Sequence, residues 1–257
     1  MAVEGFEIAK ASEVFSDLIR YRETYHEKGK YLGFEKLDVN YSMSLGNCTD
    51  WTGFPMSGKT QVLMECLVNT SLFHGWKHLV YFPDVGNKIE IIADLINKYT
   101  GKTFNNLKEN LITDNEISMA SEWVCHHFKV LTKKDIKAKL TPIQFWDLAV
   151  KLKNEEGLHT ASIDSWKDLN HNYSEFGGYA QYLEYVLPYR NQIAEDNNLH
   201  LHTIIQTMDI FSSLIQIIPK QLKYPSINPS ILDFILYLCR TINDSIILTY
   251  YSSRWLV

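Results

Sequence analysis

Apolar and polar positions along the chain set out a helix first and then a regular alternation of strands and helices. Over residues 6–27 apolar side chains recur at Phe6, Ala11, Val14, Phe15, Leu18, Ile19 and Tyr25, with charges between them: one face of an amphipathic helix. A Gly-punctuated polar connector, EKGKYLGFEKLD, follows it. Periodicity alone leaves open whether this helix packs on its own domain or bridges to a neighbouring subunit. From residue 45 short β-like runs alternate with helix-length segments. NCTDWT is β-like, and a helix over 59–72 carries Val62, Leu63, Cys66 and Leu67 on one side. HLVYF (78–82) reads as a buried strand, 88–99 as a helix closed by Gly101, and WVCHHFKVL (123–131) as a strand. A helix over 142–156 takes Pro142 in its first turn and stops before Gly157. LHTASID (158–164), LHLHTIIQ (199–206) and DSIILTYY (244–251) are strands, and the helix between the first two, 178–198, is expected to kink at Pro188. Strands separated by helices predict an α/β fold with a mostly parallel, doubly wound sheet and helices on both faces.

One junction carries chemistry. TGFPMSGKTQ (52–61) joins the first β-like run to the first helix of this series, and contains Gly53-x-x-x-x-Gly58-Lys59-Thr60. The glycines let backbone N–H groups approach phosphate oxygens with no Cβ in the way. The helix that begins at Lys59 adds its positive end. Lys59 reaches β- and γ-phosphates and the Thr60 hydroxyl takes Mg²⁺. Strand, loop and helix in that order predict a nucleotide site, with Gly53, Pro55, Ser57, Gly58, Lys59, Thr60 and Gln61 as its binding residues. Such a loop needs an acid at the end of a nearby strand to order the metal. Asp164, closing LHTASID, is the expected metal partner beside Thr60; its alternative is a turn or helix-cap aspartate, and Asp50 and Asp209 are weaker candidates.

Composition changes this picture little. A net charge of −5 on 257 residues neither requires nor excludes nucleic acid, because a ring-shaped binder confines its positive charge to a few loops. Cys48, Cys66, Cys125 and Cys239 form no C-x-x-C pair and read as reduced, mostly buried thiols. No secretory signal opens the chain, and the apolar stretch at 231–250 is broken by Asp233, Arg240, Asn243 and Asp244, which predicts a soluble cytoplasmic protein without a membrane partner. Lys220 and Lys223, beside the stackable Tyr224, are available cations on a stretch that also reads as a solvated surface loop. The lysine-rich TKKDIKAKLT (132–141) reads as an exposed face. His126 and His127, placed in a strand, alternate faces and read as structural.

Several ordered features together resemble the RecA-like ATPase domain of the DnaB family of replicative helicases, especially the helicase part of phage primase-helicases. GFEKLD (33–38) is similar to the segment that leads into that core, GFPMSGKT to its Walker A loop, HGWKHLVYF to the next strand and SIDSW (162–166) to its Walker B strand. HLHTIIQ ends in Gln206, where the resemblance implies a γ-phosphate sensor, and CRTINDSIILTYY resembles the late strand, with Asp244 before its apolar run. The likeness covers about residues 30–251. It implies ATP with Mg²⁺ bound between subunits of a hexameric ring, single-stranded DNA in the centre with Lys220 and Lys223 as its contact candidates, and DNA unwinding in phage replication with a separate primase or loader. It also implies a linker helix and connector over 1–32 that docks on the adjacent subunit, and an ATPase domain over 33–257.

Two positions depart from that pattern. The resemblance implies a catalytic glutamate three residues after the strand phenylalanine; counted from Phe82 this is Val85, with Asp84 one residue earlier as the substitute base. It implies an arginine finger near Tyr251, and the nearest arginine is Arg254. The expected catalytic set is therefore Lys59, Asp84, Asp164 and Gln206. The departures keep two other functions open: an ATP-binding loader or assembly switch with weak hydrolysis, and a RecA-type recombinase.

Overall fold

The computed structural model describes residues 10–24, 29–53, 56–135, 137–206 and 247–251, with the backbone alone at Thr24, Gln206 and 247–251. The chain divides into two units, 1–44 and 45–257. In the first, α1 (Phe15–Thr24) begins after a turn at 11–14, later than the 6–27 pattern predicts; Phe6 and Tyr25 lie outside the described residues. Its apolar residues Phe15, Leu18 and Ile19 are exposed. The GFEKLD segment closes on itself: α2 (Glu35–Asp38) turns Asp38 back so that its carboxylate accepts from the Leu32 and Phe34 amides, at 2.5 and 2.8 Å.

Among the described residues, the second unit is built on one six-stranded sheet. Its strands are β1 (Asn47–Gly53), β2 (His78–Tyr81), β3 (Phe128–Val130), β4 (Thr160–Asp164), β5 (His200–Gln206) and β6 (Ile247–Tyr251). They lie in the order β3-β2-β4-β5-β1-β6, all parallel except β6, which runs antiparallel to β1. The described helices are α3 (Lys59–His74), α4 (Lys88–Thr100), α5 (Asp114–His127), α6 (Pro142–Glu156) and α7 (Tyr179–Asp196). The connections from β1 to β2 and on to β3 step one way along the sheet; those from β3 to β4 and β5 step back. Right-handed crossovers therefore put α3, α4 and α5 on one face and α6 and α7 on the other. Contacts of α4 with α3 and α5, and of α6 with α7, agree with this. Every parallel strand ends on the same side of the sheet.

The predicted strand over 123–131 is corrected. Residues 123–127 form the last turn of α5, and only Phe128–Val130 is strand. Trp, Val, Cys and His suit either state, but Thr113 and Glu116 form a capping box that fixes a helix start upstream. His126 and His127 accordingly sit in a helical turn, with His127 Nδ1 2.9 Å from the Trp76 carbonyl. The other helix ends follow their punctuation: Gly75, Gly101 and Gly157 close α3, α4 and α6 in left-handed conformations, and α7 continues through Pro188.

A sheet covered on both faces usually reads as unbroken hydrophobic strands. Here the buried strands carry polar residues, among them three histidines with polar neighbours. His78, fully buried, lies 2.7 Å from Thr160 Oγ1 and 3.0 Å from Ser71 Oγ. His200 bonds Thr49 at 2.9 Å, and Trp51 donates to His202 Nδ1 at 3.2 Å. Burial holds both His78 and His202 well below the ordinary histidine range, hence neutral. Cys48 and Cys66 are buried thiols and Cys125 is exposed; burial pushes Cys48 up to about 11. Among the described residues no helix is long and apolar enough to cross a membrane.

Candidate nucleotide site

The loop between β1 and α3 sits at the carboxyl end of the sheet, where open α/β folds place their ligands. Two features bend it. Gly58 caps α3 with φ 84°, and a Cβ on Gly53, whose φ is 152°, would stand 3.2 Å from Ser57 Oγ. Glycine is needed at both. The Lys59 side chain lies over the loop: its ammonium donates to the Gly53 carbonyl at 3.0 Å and to Ser57 Oγ at 3.4 Å. Burial lowers its pKa, and Asp164 opposes that shift. Phe54 and Pro55 lie outside the described residues.

Asp164 ends β4, a strand buried along its whole length, and its carboxylate accepts a short hydrogen bond from the Thr60 hydroxyl. Burial raises its pKa above the usual carboxylate range; the Thr60 bond and Lys59 pull it down, and the nearby Asp84 and Asp168 push it up. A cleft of about 460 Å³ is lined by Ser57, Lys59, Thr60, Gln61, Asp84 and Asp164, among others. Residues from three separate segments of the chain thus line one cleft. Gln61 joins the cleft through Asp94, whose carboxylate accepts from Nε2 at 3.3 Å. Sheet register puts Gln206 beside Gly53, at the end of the strand that separates β4 from β1. Hydroxyl and carboxylate oxygens are the hard donors Mg²⁺ prefers, so Thr60 and Asp164 fit that ion, with phosphate oxygens and water completing its shell.

Asp84 lies on the turn after β2, lines the cleft, and pairs with Lys167 at 3.4 Å. Val85 lines the cleft too. Asp50 is not a metal candidate: both its oxygens accept from the Arg190 guanidinium, at 2.5 and 3.1 Å, in a buried pair. Sequence reasoning missed Arg190, Lys167, Asp94 and Asp168. Lys167 alone had a signal, since it falls three residues after Asp164. The DNA candidates Lys220, Lys223 and Tyr224, together with Asp209, Asp244 and Arg254, lie outside the described residues.

The architecture has known counterparts. No family model and no curated protein matches the sequence. Among solved structures, the chain is similar to an ATPase domain, at 16% identity and TM-score 0.60, over 80% of this chain and 74% of that one. It is also similar to a DnaB-like replicative helicase, solved in a study of its interactions with primase, at 17% identity and TM-score 0.57. That match covers 78% of this chain and 49% of the other, so the chain spans about half the length of that helicase. The chain shares the fold of that ATPase domain and of the matched part of the DnaB-like helicase.

Proposed function

We propose that the chain is an ATP-driven DNA motor of the DnaB type, a helicase or translocase acting in phage DNA replication in the host cytoplasm. The observation that carries this reading is the convergence of Lys59, Thr60 and Asp164 in one cleft at the start of α3. Main-chain amides of the loop and the Lys59 ammonium bind the β- and γ-phosphates of ATP, displacing the ammonium from Gly53. Mg²⁺, when bound, neutralises charge developing on the phosphates. Thr60 and Asp164 hold it, Asp84 accepts the proton of the attacking water, and Gln206 senses the terminal phosphate. Arg254 completes the neighbouring subunit's site, while Lys220 and Lys223 line the DNA path. The exposed apolar face of α1 suits docking on the next subunit of a hexameric ring.

Turnover of ATP measured with and without single-stranded DNA tests this. A DNA-stimulated rate abolished by Lys59→Ala and by Asp84→Ala supports the motor; no heat on titration with MgATP sinks the whole reading. A second reading, an ATP-binding loader or assembly switch, is favoured by Val85 at the glutamate position. Tight ATP binding with no stimulated turnover selects it. Strand exchange without unwinding would select a recombinase.

A further inference from the structure

Lys167 projects from a turn whose other residues are pinned. Ser165 Oγ and N both donate to the Asp168 carboxylate, at 2.8 and 3.3 Å, and the Asp168 and Leu169 amides close the turn on Ser165 and Trp166 carbonyls. The Trp166 ring stacks on buried Trp146 at 6.3 Å and meets His171 at 4.6 Å, while His171 Nε2 donates to the Trp166 carbonyl at 2.7 Å. The residues flanking Lys167 are thus held, and they begin immediately after Asp164. Across the cleft rim, Asp84 stands on an equally constrained turn: the Val85 amide donates to the Phe82 carbonyl, and Asn87 and Glu90 build a capping box that starts α4. An ion pair from Lys167 to Asp84 joins the two fixed turns.

Exposed ion pairs contribute little to stability, and half-exposed Lys167 is no exception. The pair instead fixes a direction. Asp84 shares the cleft end with Asp164, and the two carboxylates repel each other. An ammonium 3.4 Å away on one oxygen, Oδ2, opposes that repulsion and leaves the carboxylate plane oriented. We infer that Lys167 is a positioning residue for Asp84, holding the shorter carboxylate of this site at the rim of the nucleotide cleft.

The role rests on the hydrolytic reading above, and a double-mutant cycle separates the two. Lys167→Met lowers kcat by roughly ten- to a hundredfold, as expected for a misplaced base, and leaves KM for ATP unchanged because the loop holds the phosphates. Lys167→Arg, which keeps a cation on a long stem, retains most of the rate. In an Asp84→Asn background Lys167→Met costs nothing further. Equal losses in both backgrounds, a rise in KM alone, or no rescue by arginine each overturn the positioning role while leaving the ATPase intact. Thermal melts of each variant exclude unfolding as the cause. A wild-type chain that binds no MgATP, or binds it without turnover, removes hydrolysis itself and this role with it.

Discussion

Two strand aspartates, Asp50 on β1 and Asp164 on β4, have opposite fates. Asp50 is closed off: both oxygens face the Arg190 guanidinium, and Thr203 Oγ1 takes another Arg190 proton at 3.1 Å. Burial works against the Arg190 charge, and Asp50 more than restores it. Asp164 is also buried, yet its hydroxyl partner Thr60 and the neighbouring Lys59 line a cleft, and its charge is disfavoured overall. A buried acid whose cation is a protein side chain belongs to the scaffold. One whose charge is left short, at the edge of a cavity, has room for an outside cation.

The same substitution at both positions should therefore break them in different ways. Asp50→Asn leaves Arg190 buried without its counter-charge and should cost about 3–5 kcal/mol, read as a lowered denaturation midpoint. Asp164→Asn removes a charge that the fold disfavours, so its melting temperature should hold or rise, while ATP turnover drops by at least about a hundredfold. Similar stability losses at the two sites would erase the distinction.

Acid sharpens the contrast. His78 and His202 bind protons less well folded than unfolded, so the chain loses stability as pH falls below about 6.5, at about 1.4 kcal/mol per pH unit for each histidine. Asp164 has the opposite sign, since its folded carboxyl holds a proton more tightly; its contribution improves as pH falls. Equilibrium melts across pH should show the histidine loss first, and His202→Gln should flatten the curve near about pH 6. The smallest effect is expected at the rim: Lys167→Met should shift stability by less than about 1 kcal/mol, for all its effect on rate.

The loop was legible because glycine, lysine and threonine spacing encodes a local backbone shape, and the strand ending at Asp164 was legible from a short apolar run. Arg190 was not, because it meets Asp50 across 140 positions and nothing local marks the pairing. The helical turn at 123–127 was misread because aromatic and histidine residues dominate its composition, while its capping box lies about ten residues upstream. Lys167 falls three residues after Asp164, but nothing local in the sequence names its partner. Only the joining of the β2 and β4 ends in space gives it a partner.

The place of β1 in the sheet also governs when the protein comes into being. Its two neighbours, β5 and β6, both lie far along the chain from it; Thr49 waits 151 positions for His200. During translation the strand that anchors the glycine loop has no parallel ladder to join until β5 has been made, and such distant pairing is slow. Nucleotide capture thus waits for β5 rather than for the loop's own synthesis.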